Sequence, residues 1–345
     1  MNDKTISQSD EIDLFELVAG LWKRKFLILG VTAAFASGSV IYALTATPIF
    51  EAKFYVQAPS SSDIAQLNYG RGGKGGLAII TPKDVYDIYL QSLTSESTRR
   101  LYFKDVFLPS LPVEQQRGSK SELYSRFSQQ LTISPDAKSS PQRYVVTVQL
   151  PDAELAAKWA AGYAQLAGDR ALKEILDNVH GDVDLVSRNL EQQISSAQEV
   201  ARSQRQDTID RLKESLAIAK AVGPELSRSA KGGSAAGEDS DKVEGPLAYL
   251  RGTKALEAEI GTLESRPSDD PFIEGFRGQQ AKLEFYRGLK VDSSGIEVYS
   301  PDGEAVQPDK PIKPRKTLIV LVGTLMGLVL GSGLALVRHF AGRRR

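Results

Sequence analysis

The sequence predicts an α+β fold: a small membrane-proximal mixed sheet with helices, a very long projecting helix, and two transmembrane helices. Three observations carry this. Uncharged apolar runs stand near both ends, at Phe26–Phe50 and Thr317–Val337. Between them, short stretches alternate apolar and polar residues with period two, the signature of half-buried strands. From Asp152 to Val222 no proline interrupts a helical pattern.

About 20 apolar residues at ~1.5 Å each cross a hydrocarbon core about 30 Å thick, so both apolar runs are long enough to span a bilayer. The first run exceeds the ~7–15 residues of a signal-peptide core, and a polar segment precedes it. It reads as an uncleaved anchor. The alternative is a pair of buried core helices. Lys23, Arg24 and Lys25 stand immediately before the first run, and only Lys53 lies close after it. The positive-inside rule then places the N-terminus in the cytoplasm, and two spans return the C-terminus to the same side. The expected organisation is a cytoplasmic segment 1–25, a first transmembrane helix 26–47, a periplasmic domain 48–316, a second transmembrane helix 317–337 and a cytoplasmic tail 338–345. Within the periplasmic domain, residues 48–151 and 291–310 are assigned to an α+β base and 152–290 to a helical stalk.

Ahead of the first span, Ile12, Phe15, Val18 and Trp22 recur at helical spacing behind Asp10 and Glu11, which suit a helix start. They predict either a short helix on the membrane face or an extension of the span. After the span, "IFEAKFYVQ" places Phe50, Ala52, Phe54 and Val56 on one strand face. "QLTIS" (Leu131, Ile133), "RYVVTVQL" (Tyr144, Val146, Val148, Leu150) and "GIEVYS" (Ile296, Val298) are the other strand candidates. "TPKDVYDIYLQSLTSESTRRLYFK" predicts helix.

The long helix opens after Pro151-Asp152 and closes at Gly223-Pro224. Leu172, Leu176, Val179, Val183, Val186, Leu190, Ile194 and Ala197 form a stripe at spacings of three and four. Such a helix is about 100 Å long, too long for a globular core. The stripe is lost at "RSQRQD" (Arg202–Asp207), and Gly181 is a candidate bend. Residues 228–245, small, charged and glycine-rich, read as an exposed loop. Helical pattern returns in "PLAYLRGTKALEAEIGTLESR" and "PFIEGFRGQQAKLEFYRGLK". That return is shorter than the outbound helix, so either the long helix breaks or the return includes extended chain.

Composition excludes several function classes. Lys+Arg and Asp+Glu both number 43, and zero net charge offers no electrostatic footprint for nucleic acid. There is no cysteine, hence no disulfide and no thiolate metal site. "NYGRGGKGGLA" fails as a phosphate loop, because Gly75 rather than Ser or Thr follows Lys74; it reads as a mobile glycine loop. His180, beside Gly181 and near Asp177, Asp182 and Asp184, reads as a surface histidine rather than a metal ligand. The pairs Glu257/Glu259 and Asp269/Asp270 read as solvated helix faces. With no nucleophile–base pair and no cofactor fingerprint, the chain is read as a non-enzyme that binds no cofactor. The short tail after Arg338 leaves no room for a fused cytoplasmic kinase or a receptor's output coil.

The candidate functional residues therefore lie in the membrane. In lipid, small residues let helix backbones approach and pack. Gly323, Gly327 and Gly331 form one such face, and Gly30, Ala34 and Gly38 form another. Both are expected to pack on each other or on a partner. Pro311, Pro314, Arg315 and Lys316 make a stiff, basic approach to the second span.

The whole chain resembles the Wzz chain-length determinants, the class 1 polysaccharide co-polymerases. The resemblance rests on "DEIDLFELVAGLWKRKFLI", "PIFEAKFYVQ", "YLRGTKALEAEI" and the proline-rich basic approach to a glycine-spaced second span. Lys313 stands before Pro314-Arg315 where the family commonly has Ser before Pro-Lys. The resemblance implies a homo-oligomeric ring in the bacterial inner membrane that regulates O-antigen chain length without chemistry. The Wzy-type O-antigen polymerase and the nascent polyprenyl-linked glycan are its implied partners, with polymerase contact in the spans. Alternatives are a class 2-like protein for exopolysaccharide or capsule, a length regulator of enterobacterial common antigen, and, more distantly, a two-span periplasmic sensor.

Overall fold

The structure, a computed structural model, describes residues 21–73, 76–137, 143–222 and 245–343. The helix expected around Ile12, Phe15 and Val18, and nearly all of the loop expected at 228–245, lie outside the described residues. In chain order the principal elements are α1 (Lys25–Thr45), β1 (Phe50–Gln57), α2 (Pro82–Thr94), α3 (Glu96–Tyr102), α4 (Lys120–Gln130), β2 (Leu131–Asp136), β3 (Arg143–Leu150), α5 (Ala153–Val222), α6 (Thr253–Glu264), α7 (Phe276–Gly288), β4 (Ser300–Pro301) and α8 (Lys316–Arg343). The described residues fall into two compact units. The first runs through Ser61, from Pro82 to Leu172 and again from Glu297; the second comprises Ser62–Thr81 and Lys173–Ile296.

The first unit holds a four-stranded sheet in the order β2-β3-β1-β4. All its ladders are antiparallel, with Phe50 opposite Leu150, Leu131 opposite Val148 and Val56 opposite Pro301. The expected mixed sheet is thus corrected to an antiparallel one. Between Asp136 and Arg143 the chain is too short for the parallel crossover, which takes a dozen or more residues. The expected faces are otherwise as read: Ala52, Phe54 and Val56 are buried on β1, and Val146, Val148 and Leu150 on β3. The strand expected around Ile296 and Val298 forms instead at Ser300–Pro301. Val298 and Tyr299 are spent first on Gly168 of α5, where an added Cβ would stand 3.7 Å from Val298 and 2.8 Å from the Tyr299 ring.

That contact shows how the core is built. The first turns of α5 lack a leucine stripe and bury Ala156, Ala160, Ala164 and Ala167. Small residues leave room for rings. Tyr102 packs edge-on against Trp159 and Tyr163, Phe107 lies 5.8 Å from Trp159 and 5.3 Å from Phe127, and Tyr89 stacks on Tyr299 at 4.5 Å. Each such pair contributes ~0.5–1.5 kcal/mol beyond its burial. The buried hydroxyls are satisfied by backbone: Tyr163 donates to Leu93 O (2.9 Å), Tyr102 to Trp159 O (3.2 Å) and Tyr86 to Val56 O (3.0 Å). An unmet buried hydroxyl would cost about 1–3 kcal/mol.

In the second unit the long helix runs unbroken through Gly181. Among the described residues of the return, α6 and α7 are the α-helices, with tight turns at Gly245–Arg251 and Asp270–Phe272. The residues of α5 buried in this unit include Ile175, Val179, Ile209 and Leu212; Leu172, Leu176 and most of the expected stripe are only half-buried. Ile209 and Leu212 pack with Leu256 and Ile260 of α6. Burying each such side chain is worth ~1.5–3 kcal/mol, whereas the flanking pairs Lys213–Glu264 and Lys220–Glu257 are solvent-exposed and screened, so the apolar contact holds the two helices together. The stripe's gap at Arg202–Asp207 also has its reason. There α6 ends, and Arg205 donates to Leu263 O and Arg266 O at 3.1 and 3.0 Å while pairing with Asp269 at 3.2 Å. A guanidinium on terminal carbonyls takes the place of an apolar contact.

The glycine loop is tied down rather than free, although Lys74 and Gly75 lie outside the described residues. Asn68 bonds both the N–H and the C=O of Ile80 at 2.8 Å, and Arg71 pairs with Asp182 at 2.8 Å. Gly70, at φ +78°, sits where a Cβ would press on Phe285. Among the described residues no group of three His, Cys, Asp or Glu side chains is arranged for a metal ion.

The tyrosine core predicts alkaline unfolding. Burial pushes the phenols of Tyr86 and Tyr163 up to about 12, and raises Tyr89, Tyr102 and Tyr299 as well. The unfolded phenol titrates near 10.0. A raised folded value means that the stabilisation is complete below pH 10 and is lost as pH rises towards 12. Circular dichroism and tyrosinate absorbance on the full chain in detergent should therefore change together in that window.

Candidate functional site

The membrane helices are a pair. Among the described residues α1 and α8 are the two helices long and apolar enough to cross a bilayer, and only 6% and 17% of their most apolar windows are buried within the protein. That exposure rules against buried core helices. Between apolar helices in lipid there is no hydrophobic gain from contact, so close packing must hold them.

Gly323, Gly327 and Gly331 of α8 supply it. A Cβ at Gly323 would overlap the Ser39 hydroxyl; at Gly327 it would stand 2.9 Å from Phe35 Cβ and Thr32 Cα; at Gly331 it would stand 3.1 Å from Ile28 Cα. Descending numbers on α1 meet ascending ones on α8, so the helices run antiparallel. The hydroxyls in the seam need no partner across it: Ser39 donates to Phe35 O at 2.7 Å, and Thr32 to Ile28 O at 2.8 Å. Lipid offers no water to do this for them.

The pairing is one-sided. Gly30 and Gly38 have open space where a Cβ would be, and Ala34 and Gly38 line a separate hollow of about 450 Å³ with Tyr42 and Ile319. The two small-residue faces therefore do not meet each other. Glycine of α8 meets Ile28, Thr32, Phe35 and Ser39 of α1, a face that sequence reading missed. Thr32 and Ser39, seven residues apart in an apolar run, were the available signal.

Both ends of the pair are fastened. At one, the Arg24 guanidinium donates to Arg338 O at 3.0 Å. At the other, Ile49 N–H donates to Lys313 O at 3.0 Å and Ile312 N–H to Ile49 O at 2.8 Å, a bridge just beyond β1. Lys313 Nζ also donates to Gln149 Oε1 at 3.3 Å, and Gln149 Nε2 to Glu51 Oε2 at 2.8 Å. The chain leading out of one helix is thus bonded to the chain leading into the other. Pro311 and Pro314 flank this bridge, with Pro314 in a cis peptide bond; Arg315 and Lys316 are exposed beyond it.

Residues 10–105 match the Wzz family, described as chain length determinant protein. Residues 302–340 match a second family, "G-rich domain on putative tyrosine kinase". The chain is 23% identical over 334 residues to the chain length determinant protein of Escherichia coli, covering 96% of this chain and 93% of that one. A full-length bacterial polysaccharide co-polymerase superposes with a TM-score of 0.69 at 21% identity, covering 96% of this chain and 99% of that one. The wild-type Shigella flexneri lipopolysaccharide O-antigen chain-length regulator gives a TM-score of 0.54 at 20% identity, over 75% of this chain and 99% of that one. These relatives are named for length control or co-polymerase action, not for a reaction they catalyse.

The seam can be tested by cross-linking, since the native chain has no cysteine. Ile28→Cys with Gly331→Cys should form an intramolecular disulfide readily, whereas Gly30→Cys with Gly331→Cys should not; gel mobility before and after reduction reads the result. The chain thus shares the fold of the solved polysaccharide co-polymerase, and its residues 10–105 match the Wzz chain-length-determinant family.

Proposed function

We propose that this protein regulates the modal chain length of O-antigen as a homo-oligomeric ring in the inner membrane, acting with the Wzy-type polymerase on the polyprenyl-linked glycan. The observation that carries the reading is the co-polymerase fold shared over 96% of the chain. The chain has no chemistry of its own in this account: the polymerase extends the glycan, and the oligomer biases when extension ends.

Several features support the arrangement. Lys23, Arg24 and Lys25 favour a cytoplasmic N-terminus, and Arg24 meets Arg338 at the same end of the helix pair, so both termini are cytoplasmic and the body periplasmic. On α5, Leu185 and Val200 are 60% and 54% exposed, apolar surface suited to a neighbouring copy. Because Gly323, Gly327 and Gly331 are occupied by α1, the small-residue face left for the polymerase is Gly30, Ala34 and Gly38. Pro311, Pro314, Arg315 and Lys316 carry the orientation of the base into the membrane.

The match of residues 302–340 to a domain found with tyrosine kinases favours one second reading, a class 2-like role in exopolysaccharide or capsule length. The lipopolysaccharide ladder of a strain lacking the gene separates the two. Loss of a preferred length with polymerisation intact supports O-antigen control; an unchanged ladder alongside altered capsule or exopolysaccharide supports the second reading.

Gly327→Leu, which forces apart the seam at Thr32 and Phe35, should broaden the length distribution while the protein remains in the membrane. Ala34→Leu should do so without disturbing the cross-link between positions 28 and 331. A wild-type ladder from both variants would remove the spans from the mechanism.

A further inference from the structure

A groove of about 510 Å³ runs along α1 beside the glycine seam, sharing Ile28 and Thr32 with it and lined further by Trp22, Lys25, Leu29, Ala33 and Ala36 and by Leu328 of α8. Its walls are almost wholly hydrocarbon, and its one charged lining group is Lys25. The Lys25 ammonium lies 5.3 Å from the centre of the Trp22 ring and 5.6 Å from that of Phe26, so its stem and the rings shape the mouth together. Lys23, Arg24 and Arg338 stand at the same end, Arg24 already bonded to Arg338 O. Neither α1 nor α8 contains an acidic residue to neutralise them.

A hydrocarbon trough with a cation at its mouth, set in a bilayer, has the complementary chemistry of an anionic phospholipid. Long cationic side chains at a helix end reach for the headgroup level while their stems stay with the acyl chains. A transmembrane helix of a partner would be better served by the neighbouring Gly30–Ala34–Gly38 face, which lets backbones approach.

We propose that this trough binds an anionic phospholipid of the adjoining leaflet, one acyl chain lying along Leu29, Ala33 and Ala36 and the phosphate held at Lys25. The site rests on α1 and α8 being membrane spans, not on chain-length control, so the lipopolysaccharide ladder and the lipid test fail independently.

Trp22 is a reporter already in place. The chain has two tryptophans, and the other, Trp159, is buried in the core of the first unit. In a full-length Trp159→Phe protein reconstituted in bilayers, Trp22 fluorescence is titrated with acyl-brominated phosphatidylglycerol or acyl-brominated phosphatidylcholine. The chain retaining Trp159 serves as the control for that substitution. Quenching should report a preference for phosphatidylglycerol of about fivefold, the ratio given by roughly 1 kcal/mol for one cation at an anionic headgroup. Lys25→Arg should keep the preference and Lys25→Gln should bring it towards one. Ala33→Phe, which fills the trough and leaves every charge, should abolish it too. Equal quenching by the two lipids would overturn the proposal, as would a preference that survives both Lys25→Gln and Ala33→Phe. No quenching by either lipid would overturn the span reading and the site together.

Discussion

The first unit depends on the chain being closed at the point where sheet and spans meet. α1 delivers the chain to Ile49, and α8 receives it from Lys313; the two residues are bonded to each other. Once that bridge exists, the helices must run antiparallel and side by side, and their separation is set by whatever stands in the seam. Three glycines at every fourth position make that separation small. Because contact in lipid gains nothing from hydrophobicity, the closeness itself supplies the dispersion energy that holds the pair. A displacement at either span would therefore act on β1, which pairs with β3 along its length and carries one wall of the aromatic core.

The core of the first unit shows the same use of small residues. Alanines and glycines on the opening turns of α5 are not filler. They let Tyr102 and Tyr299 lie against the helix, where Tyr102 meets the helix's own Trp159 and Tyr163, and Gly162 and Gly168 are where Tyr102 and Tyr299 come close to its backbone. Further along, where α6 packs on α5, the contact turns to branched aliphatics, Ile209, Leu212, Leu256 and Ile260. Rings need a flat wall, and helix pairs need ridges. One helix supplies both surfaces in succession, which explains why no single periodic stripe runs its length.

The helix pair presents three faces, one closed by its own packing and two for which partners are proposed. The Gly323–Gly327–Gly331 seam holds the spans together. The open Gly30–Ala34–Gly38 face is the one assigned to a protein partner, and the Lys25 trough is the one assigned to lipid. They are neighbouring faces that share walls: Ile28 and Thr32 line both the seam and the trough, and Phe35 and Ser39 line both the seam and the hollow at Ala34 and Gly38, so Ala33→Phe and Ala34→Leu are placed at positions outside the seam.

Much was legible in the sequence because it is local. Period-two alternation fixed Ala52, Phe54, Val56, Val146 and Val148 as a buried face, since a strand's side chains must alternate. The apolar runs fixed two spans, since backbone in hydrocarbon must be helical and long enough to cross. Proline and glycine fixed where the long helix starts and stops. What sequence could not decide was who meets whom. The two small-residue faces look equivalent in the chain, yet only one is filled, because the bridge at Ile49 and Lys313 sets how the helices face each other. The antiparallel closure by Ser300–Pro301, the pinning of Arg71 on Asp182 and the reach of Arg205 to the end of α6 are likewise partnerships between residues far apart in the chain. Periodicity says which face of an element is buried; only the folded backbone says against what.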